Sequence, residues 1–282
     1  MTLRTLFCSL VLGATFPLVP ADAAQTYDEH VRALRKQLPD EFNLDEEEAF
    51  VVLSDQPPRA RESSLQTIRW ATEHLKKDFF EKDPEEVIDI WLFENSRSYR
   101  RNAWRLFHDE PTTPYGYYSP KHHALVMNIS TGEGTLVHEL VHPFIRANFP
   151  NCPTWFNEGL ASLFEQCAER NGHIVGEINW RLPKLQQAIR EGKILPFEKL
   201  MALTPAEFYG EENNPNYSQY YGQSRYLCYY LQEKNLLKKY YHSFTANAQD
   251  DPTGYKSLQL ALGAVDMVEF QKKWERFILQ LR

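Results

Sequence analysis

Residues 135–165 read TLVHELVHPFIRANFPNCPTWFNEGLASLFE, and they carry more chemical information than any other part of the chain. Leu136, Val137, Leu140, Val141, Phe144 and Ile145 recur at helical spacing, so the first half of the stretch is expected to be an amphipathic helix. On that helix His138 and His142 stand four residues apart, one turn above the other on a single face, where two imidazoles can share one metal ion. Glu139 sits beside them. A zinc ion used for hydrolysis takes three protein ligands and keeps one position open for water, so a third ligand is needed. Glu158 is the expected one. It lies in the segment WFNEGLA, residues 155–161, which opens a second helical run with Phe156, Leu160, Leu163, Phe164 and Cys167 as its buried stripe. Residues 148–154, rich in Pro and Asn, break the chain between the two runs. Two helices are therefore expected to meet at one zinc ion per chain. Pro143 removes a backbone donor just past His142, and a kink is expected there.

HELVH followed by WFNEGLASLFE resembles the gluzincin metallopeptidases, and most closely their small secreted bacterial branch called peptidase MA-like, a relative of the large zinc aminopeptidases. The resemblance spans residues 115–235 or so. It implies an α+β, zincin-like fold: a small mixed sheet, an active-site helix, and a mostly helical C-terminal half. It also implies that His138, His142 and Glu158 hold zinc while Glu139 acts as general base. In the aminopeptidases a tyrosine at a helix start donates to the tetrahedral oxyanion. Aligning the helices puts Tyr221 at that place, with Tyr220 as the alternative. Glu165, two turns beyond Glu158, matches a carboxylate that those enzymes set behind a ligating histidine, and Asn157 is a further candidate for that task. Two features depart from the family pattern. Fifteen residues separate His142 from Glu158, fewer than in the large aminopeptidases, and Pro143 directly follows the second histidine.

The activity implied is hydrolysis of peptide bonds, in which zinc acidifies a water and Glu139 takes its proton. The chain lacks a Gly-Ala-Met-Glu-Asn type of segment for gripping a free N-terminus, so an endopeptidase or narrow processing protease is expected rather than an aminopeptidase. The alternatives are a non-catalytic zinc-containing binding module, or a hydrolase of a non-peptide amide such as a cell-wall crosslink. Glu139 weighs against the first, since holding a metal does not require it.

Residues 1–23 have one early cation, Arg4, then an apolar run over 6–19, then Ala21-Asp22-Ala23. This is the pattern of a secretory signal peptide, and it implies export to the periplasm or beyond. The run is too short, and too interrupted by Gly13 and Pro17, to span a membrane, and no transmembrane segment is expected in the mature protein. The remainder is expected to form one catalytic unit: an N-terminal α/β part over 24–130 with a cleft-lining edge strand, then the zinc-site helices and helical part over 131–282. The net charge of −7 and the lack of a basic cluster argue against nucleic acid or an anionic membrane as partner, and the resemblance implies a peptide or protein substrate. Oligomeric state has no signal in the sequence.

Helices are expected over 27–38 and 63–80, strands over 49–53 and 87–93, and a polar helical run over 96–107. Residues 115–118 and 124–129 should form a hairpin around Ser119-Pro120-Lys121, with His122 and His123 solvated at its tip. By the resemblance, the strand just before the zinc helix is the sheet edge that pairs with an extended substrate. From residue 178 onward the pattern is helical, punctuated by Gly192, Pro196, Pro205 and the loop 210–216, with a closing helix over 266–281. His30, His74, His108, His173 and His242 show no ligand spacing. Past the leader, Cys152, Cys167 and Cys228 make an odd count, so at least one thiol stays unpaired. Cys152 and Cys167 bracket a helix too long for a bridge, while Cys167 with Cys228 stays open.

Overall fold

The computed structural model describes residues 26–119, 121–210 and 216–282, so the expected leader and most of the loop over 210–216 lie outside the described residues. The chain divides into two compact units, Met1–Leu38 and Pro39–Arg282. In the first, α1 (Tyr27–Gln37) begins at Thr26, where the Thr26 and Glu29 side chains cap each other's backbone N–H groups.

The second unit is mixed α+β. In chain order it runs β1 (Asn43–Glu47), β2 (Phe50–Ser54), α2 (Pro58–Asp78), β3 (Ile88–Phe93), α3 (Ser96–Asn102), a π-helical turn (Ala103–Phe107), β4 (Gly116–Ser119) and β5 (Ala124–Asn128). The motif helices α4 (Glu133–Asn148) and α5 (Thr154–Leu163) follow, then a hairpin of β6 (Cys167–Arg170) and β7 (His173–Gly176). The rest is helical: α6 (Leu182–Arg190), α7 (Phe197–Met201), α8 (Pro205–Tyr209), α9 (Tyr217–Glu233), α10 (Leu237–Asn247), α11 (Tyr255–Ala261) and α12 (Met267–Gln280).

Five strands form one sheet in the order β1-β2-β3-β5-β4. β2, β3 and β5 are parallel neighbours, and β1 and β4 add on antiparallel at the two edges. The three inner strands are near-continuous apolar runs because both their faces are covered. Phe50, Val52, Ile90, Leu92, Leu125 and Met127 join Leu65, Ile68 and Leu75 of α2 and Leu136, Leu140 and Phe144 of α4 in one core. On the other face Trp91 and Phe93 meet the rings of Phe42, Phe107 and Tyr99.

Several expectations need correction. The strand before the motif helix is not the sheet edge: β5 sits between β3 and β4, and the edge beside it is β4. The hairpin itself forms as expected, so the outer arm takes the exposed place and the inner arm buries its apolar side chains. α5 ends at Leu163, and Cys167 opens β6 instead of extending the helical stripe. The β6–β7 hairpin turns at Asn171-Gly172, with φ of 57° and 74°, the left-handed pair that a tight two-residue turn requires. The helix expected around the motif forms as α4, with Pro143 inside it. Cys152, Cys167 and Cys228 are all free thiols. Among the described residues no helix is long and apolar enough to cross a membrane.

Candidate metal centre

α4 is fixed before it presents anything. Glu133 in its first turn accepts hydrogen bonds from Thr67, at 2.7 Å, and Ser63, at 3.1 Å, both on α2. Gly134 lets the chain beyond α5 come close: a Cβ there would lie 2.0 Å from the carbonyl oxygen of Glu165. α5 in turn rests on α9, where a Cβ at Gly159 would meet the Ser224 carbonyl at 3.0 Å. Arg225 of α9 is fully buried and donates to the Ser162 and Leu163 carbonyls, closing the end of α5 with a positive charge where the helix dipole is negative.

Of the three expected ligands, the two histidines come together with Glu139, while Glu158 stands beside His138 but outside that group. Ligand atoms of His138, Glu139 and His142 lie within 4.8 Å of one another, the one such group found among the described residues. Glu158 reaches in from α5, its Oε2 3.4 Å from His138 Nε2. That oxygen is buried and accepts no hydrogen bond. Its twin, Oε1, accepts one of 2.7 Å from the hydroxyl of Tyr209, at the end of α8.

The other ring nitrogens face away from this convergence. Nδ1 of His142 pairs with Oδ1 of Asn157 at 2.9 Å, and Nδ1 of His138 stands 3.4 Å from Oε1 of Glu165. Glu165 does not lie on the helix, as the two-turn spacing implied, but just past its end. It is held there by a two-pronged contact from Arg181 and by Asn179 Nδ2 at 3.1 Å. A chain of contacts thus runs from Arg181 through Glu165 to the back of His138.

Charge follows from this packing. Burial works against a charged His138, but the Glu158 and Glu165 carboxylates on its two sides raise its pKa to about 10. Burial also opposes charge on Glu158, yet His142, His138 and the Tyr209 hydroxyl lower its pKa to about 2. For Glu165 burial is again outweighed, by Arg181 and His138, and its pKa falls to about 2.

A cleft of about 290 Å³ opens over these groups, lined by Tyr118 and Leu125 from the sheet, by His138, Glu139, His142, Pro143 and Arg146 from α4, and by Asn157, Glu158, Tyr209 and Tyr221. Tyr221 is buried, lies under the Arg181 guanidinium at 5.1 Å, and faces the cleft. Tyr220 packs against the core and its ring meets Phe208, but it is not among the lining residues.

Sequence reasoning missed Tyr209, Arg146, Tyr118 and Arg181. Only Arg146 had a local signal, since it continues the four-residue spacing of His138 and His142. The remaining histidines do not join the centre. His173 pairs with the buried Asp78 at 2.6 Å and His123 with Glu86 at 2.7 Å. His122, expected to be solvated, packs its ring edge-on against Phe107 and buries Nε2.

No family model matches the chain, and no curated protein matches it.

Proposed function

We propose that this protein is a zinc-dependent metallopeptidase of gluzincin type, with a zincin-like arrangement of sheet and motif helices, one zinc per chain, and a peptide or protein substrate. The observation that carries the reading is the buried Oε2 of Glu158, which accepts no hydrogen bond and stands 3.4 Å from His138 Nε2. Ligand atoms held at about 2.0–2.1 Å from a tetrahedral zinc lie roughly 3.3 Å from each other, so the separation suits two ligands of one ion. A buried carboxylate oxygen without a donor is costly unless a cation completes it. Two imidazoles and one carboxylate are the donor set of a hydrolytic zinc site; Asn157 bonds Nδ1 of His142 from behind, and Glu165 stands 3.4 Å behind Nδ1 of His138.

Zinc bound there would supply a Lewis acid and lower the pKa of water toward neutrality. The chain's own groups do the rest. Glu139, on the same helix turn, takes a proton from the attacking water and delivers it to the leaving amine. Tyr221 donates its hydroxyl to the oxyanion that forms at the scissile carbonyl. Edge strand β4 offers backbone groups to an extended substrate, with Tyr118 at the cleft wall. The leader pattern of residues 1–23 supports an activity outside the cytoplasm.

The test is metal analysis joined to a peptide-library digest. Native protein should hold close to one zinc per chain and cleave peptides, and His142→Ala should lose both. Full zinc occupancy in His142→Ala would sink the ligand assignment. Zinc without cleavage of any peptide would point to a binding module, or to an amide that is not a peptide.

A further inference from the structure

Arg146 extends the metal face of α4. It stands one turn past His142, as His142 stands one turn past His138, so two imidazoles and a guanidinium line up along one side of the helix. Among the residues lining the cleft it is the one Lys or Arg.

Most other arginines of this unit that the structure places in contacts have an anion or carbonyl. Arg69 pairs with Glu47, Arg105 with Glu41, Arg170 with Glu233, and Arg181 with Glu165. Arg146 is different. Among the described residues it forms no ion pair, and its side-chain hydrogen bond is a single one, 3.3 Å to the hydroxyl of Tyr118. The guanidinium lies 5.1 Å from the centre of the Tyr118 ring, a cation–π contact that spans the cleft from α4 to edge strand β4. The tyrosine fixes the side chain but leaves most of its donor fork open. A planar fork of N–H donors, held in place and open, matches a carboxylate in two-pronged fashion.

Its surroundings say where that carboxylate sits. Pro143 and Arg146 line both the cleft over the metal centre and a neighbouring depression of about 310 Å³. That depression holds Glu85 and Glu86, the latter paired with His123. A ligand leaving the metal centre past His142 therefore meets the arginine first and carboxylates after it. Four residues of helix advance about 6 Å, and an extended peptide covers that in about two residues.

We infer that Arg146 binds a carboxylate of the substrate, about two residues from the scissile bond on the side of the centre past His142, an assignment that rests on the metallopeptidase reading. The carboxylate is either the substrate's own C-terminus or an Asp or Glu side chain; the same fork receives both.

The test is affinity selection followed by mass spectrometry, with two acetylated octapeptide libraries that differ only in a free or an amidated C-terminus. The zinc-loaded Glu139→Gln protein captures peptides, and Glu139→Gln/Arg146→Met is run beside it after its zinc content and unfolding midpoint have been matched to the first. Carboxylate-bearing peptides should be enriched about tenfold, as expected for an exposed charge-assisted contact, and the enrichment should shrink with added salt. Arg146→Met should abolish it, and Arg146→Lys should keep part of it. Enrichment confined to the free-acid library identifies the C-terminus; enrichment of Asp or Glu in both libraries identifies a side chain. Capture without carboxylate preference, a preference that survives Arg146→Met, or no capture of any peptide overturns the assignment. Digestion of the same libraries by native protein separates the two readings. Cleavage without carboxylate preference removes the role of Arg146 and leaves the peptidase, whereas carboxylate selection by a protein that cleaves nothing removes the peptidase and leaves the role of Arg146.

Discussion

Replacing Tyr209 with phenylalanine takes one oxygen atom away from the candidate metal centre and leaves the ring. That oxygen donates a 2.7 Å hydrogen bond to Oε1 of Glu158, a carboxylate that is 5% exposed, and so leaves Oε2 as the oxygen free to face a cation. A hydrogen bond to a charged group contributes about 1.5–3 kcal/mol. Tyr209 is itself 40% exposed, which allows water to replace part of the lost contact and puts the effect near the lower end. About 1.5 kcal/mol is roughly tenfold in an equilibrium constant, and loss of an outer partner of a metal ligand commonly costs about 10–100-fold. Tyr209→Phe should therefore bind zinc about tenfold more weakly in a chelator competition while still reaching one zinc per chain at saturation. An affinity within twofold of native would show that the tyrosine does not hold Glu158 in the metal-bound protein. Complete loss of zinc would mean that the phenol is a ligand in its own right.

Other consequences can be checked in parallel. Tyr221→Phe should keep zinc and lower turnover by about 10²-fold or more, the usual cost of losing an oxyanion donor; if Tyr220→Phe does so instead, the register along α9 is off by one. Arg225→Met removes donors from two buried carbonyls at the end of α5 and should destabilise the fold by at least about 2 kcal/mol, seen as a thermal midpoint lowered by about 5 °C or more. Gly134→Ala forces a Cβ to within 2.0 Å of the Glu165 carbonyl oxygen, so the chain must shift there. It should lose about 1–3 kcal/mol in denaturant unfolding, together with zinc affinity as Glu165 moves off His138.

How much of this was legible in the sequence depended on whether a contact is local. α4 and α5 were readable because their apolar stripes and the Pro- and Asn-rich break between them are local signals, and the two histidines needed only the helical period to share a face. β1 was not readable: Asn43-Leu44-Asp45-Glu46-Glu47 has no apolar alternation and forms a strand because β2 offers it an edge. The β6–β7 hairpin did carry its signal, the Asn171-Gly172 pair, but the apolar residues before it favoured reading the helix onward to Cys167. Tyr209 and Arg181 gave no sign, since Tyr209 meets Glu158 from 51 residues away and Arg181 reaches Glu165 through a turn that only the fold creates. Placing the edge strand failed for a related reason, because a hairpin's sequence does not say which of its arms pairs with the rest of the sheet.

Whether this centre cleaves or only holds metal is decided most directly by zinc content and peptide cleavage measured together on native protein and on Glu139→Gln. Glutamine keeps the size and shape of the side chain but cannot take a proton from water. Both proteins should hold close to one zinc per chain, native protein should cleave, and Glu139→Gln should be slower by about 10²–10⁴-fold or more. Cleavage that continues undiminished in Glu139→Gln, or native protein that is full of zinc and cleaves no peptide in the library, would contradict the proposed peptidase.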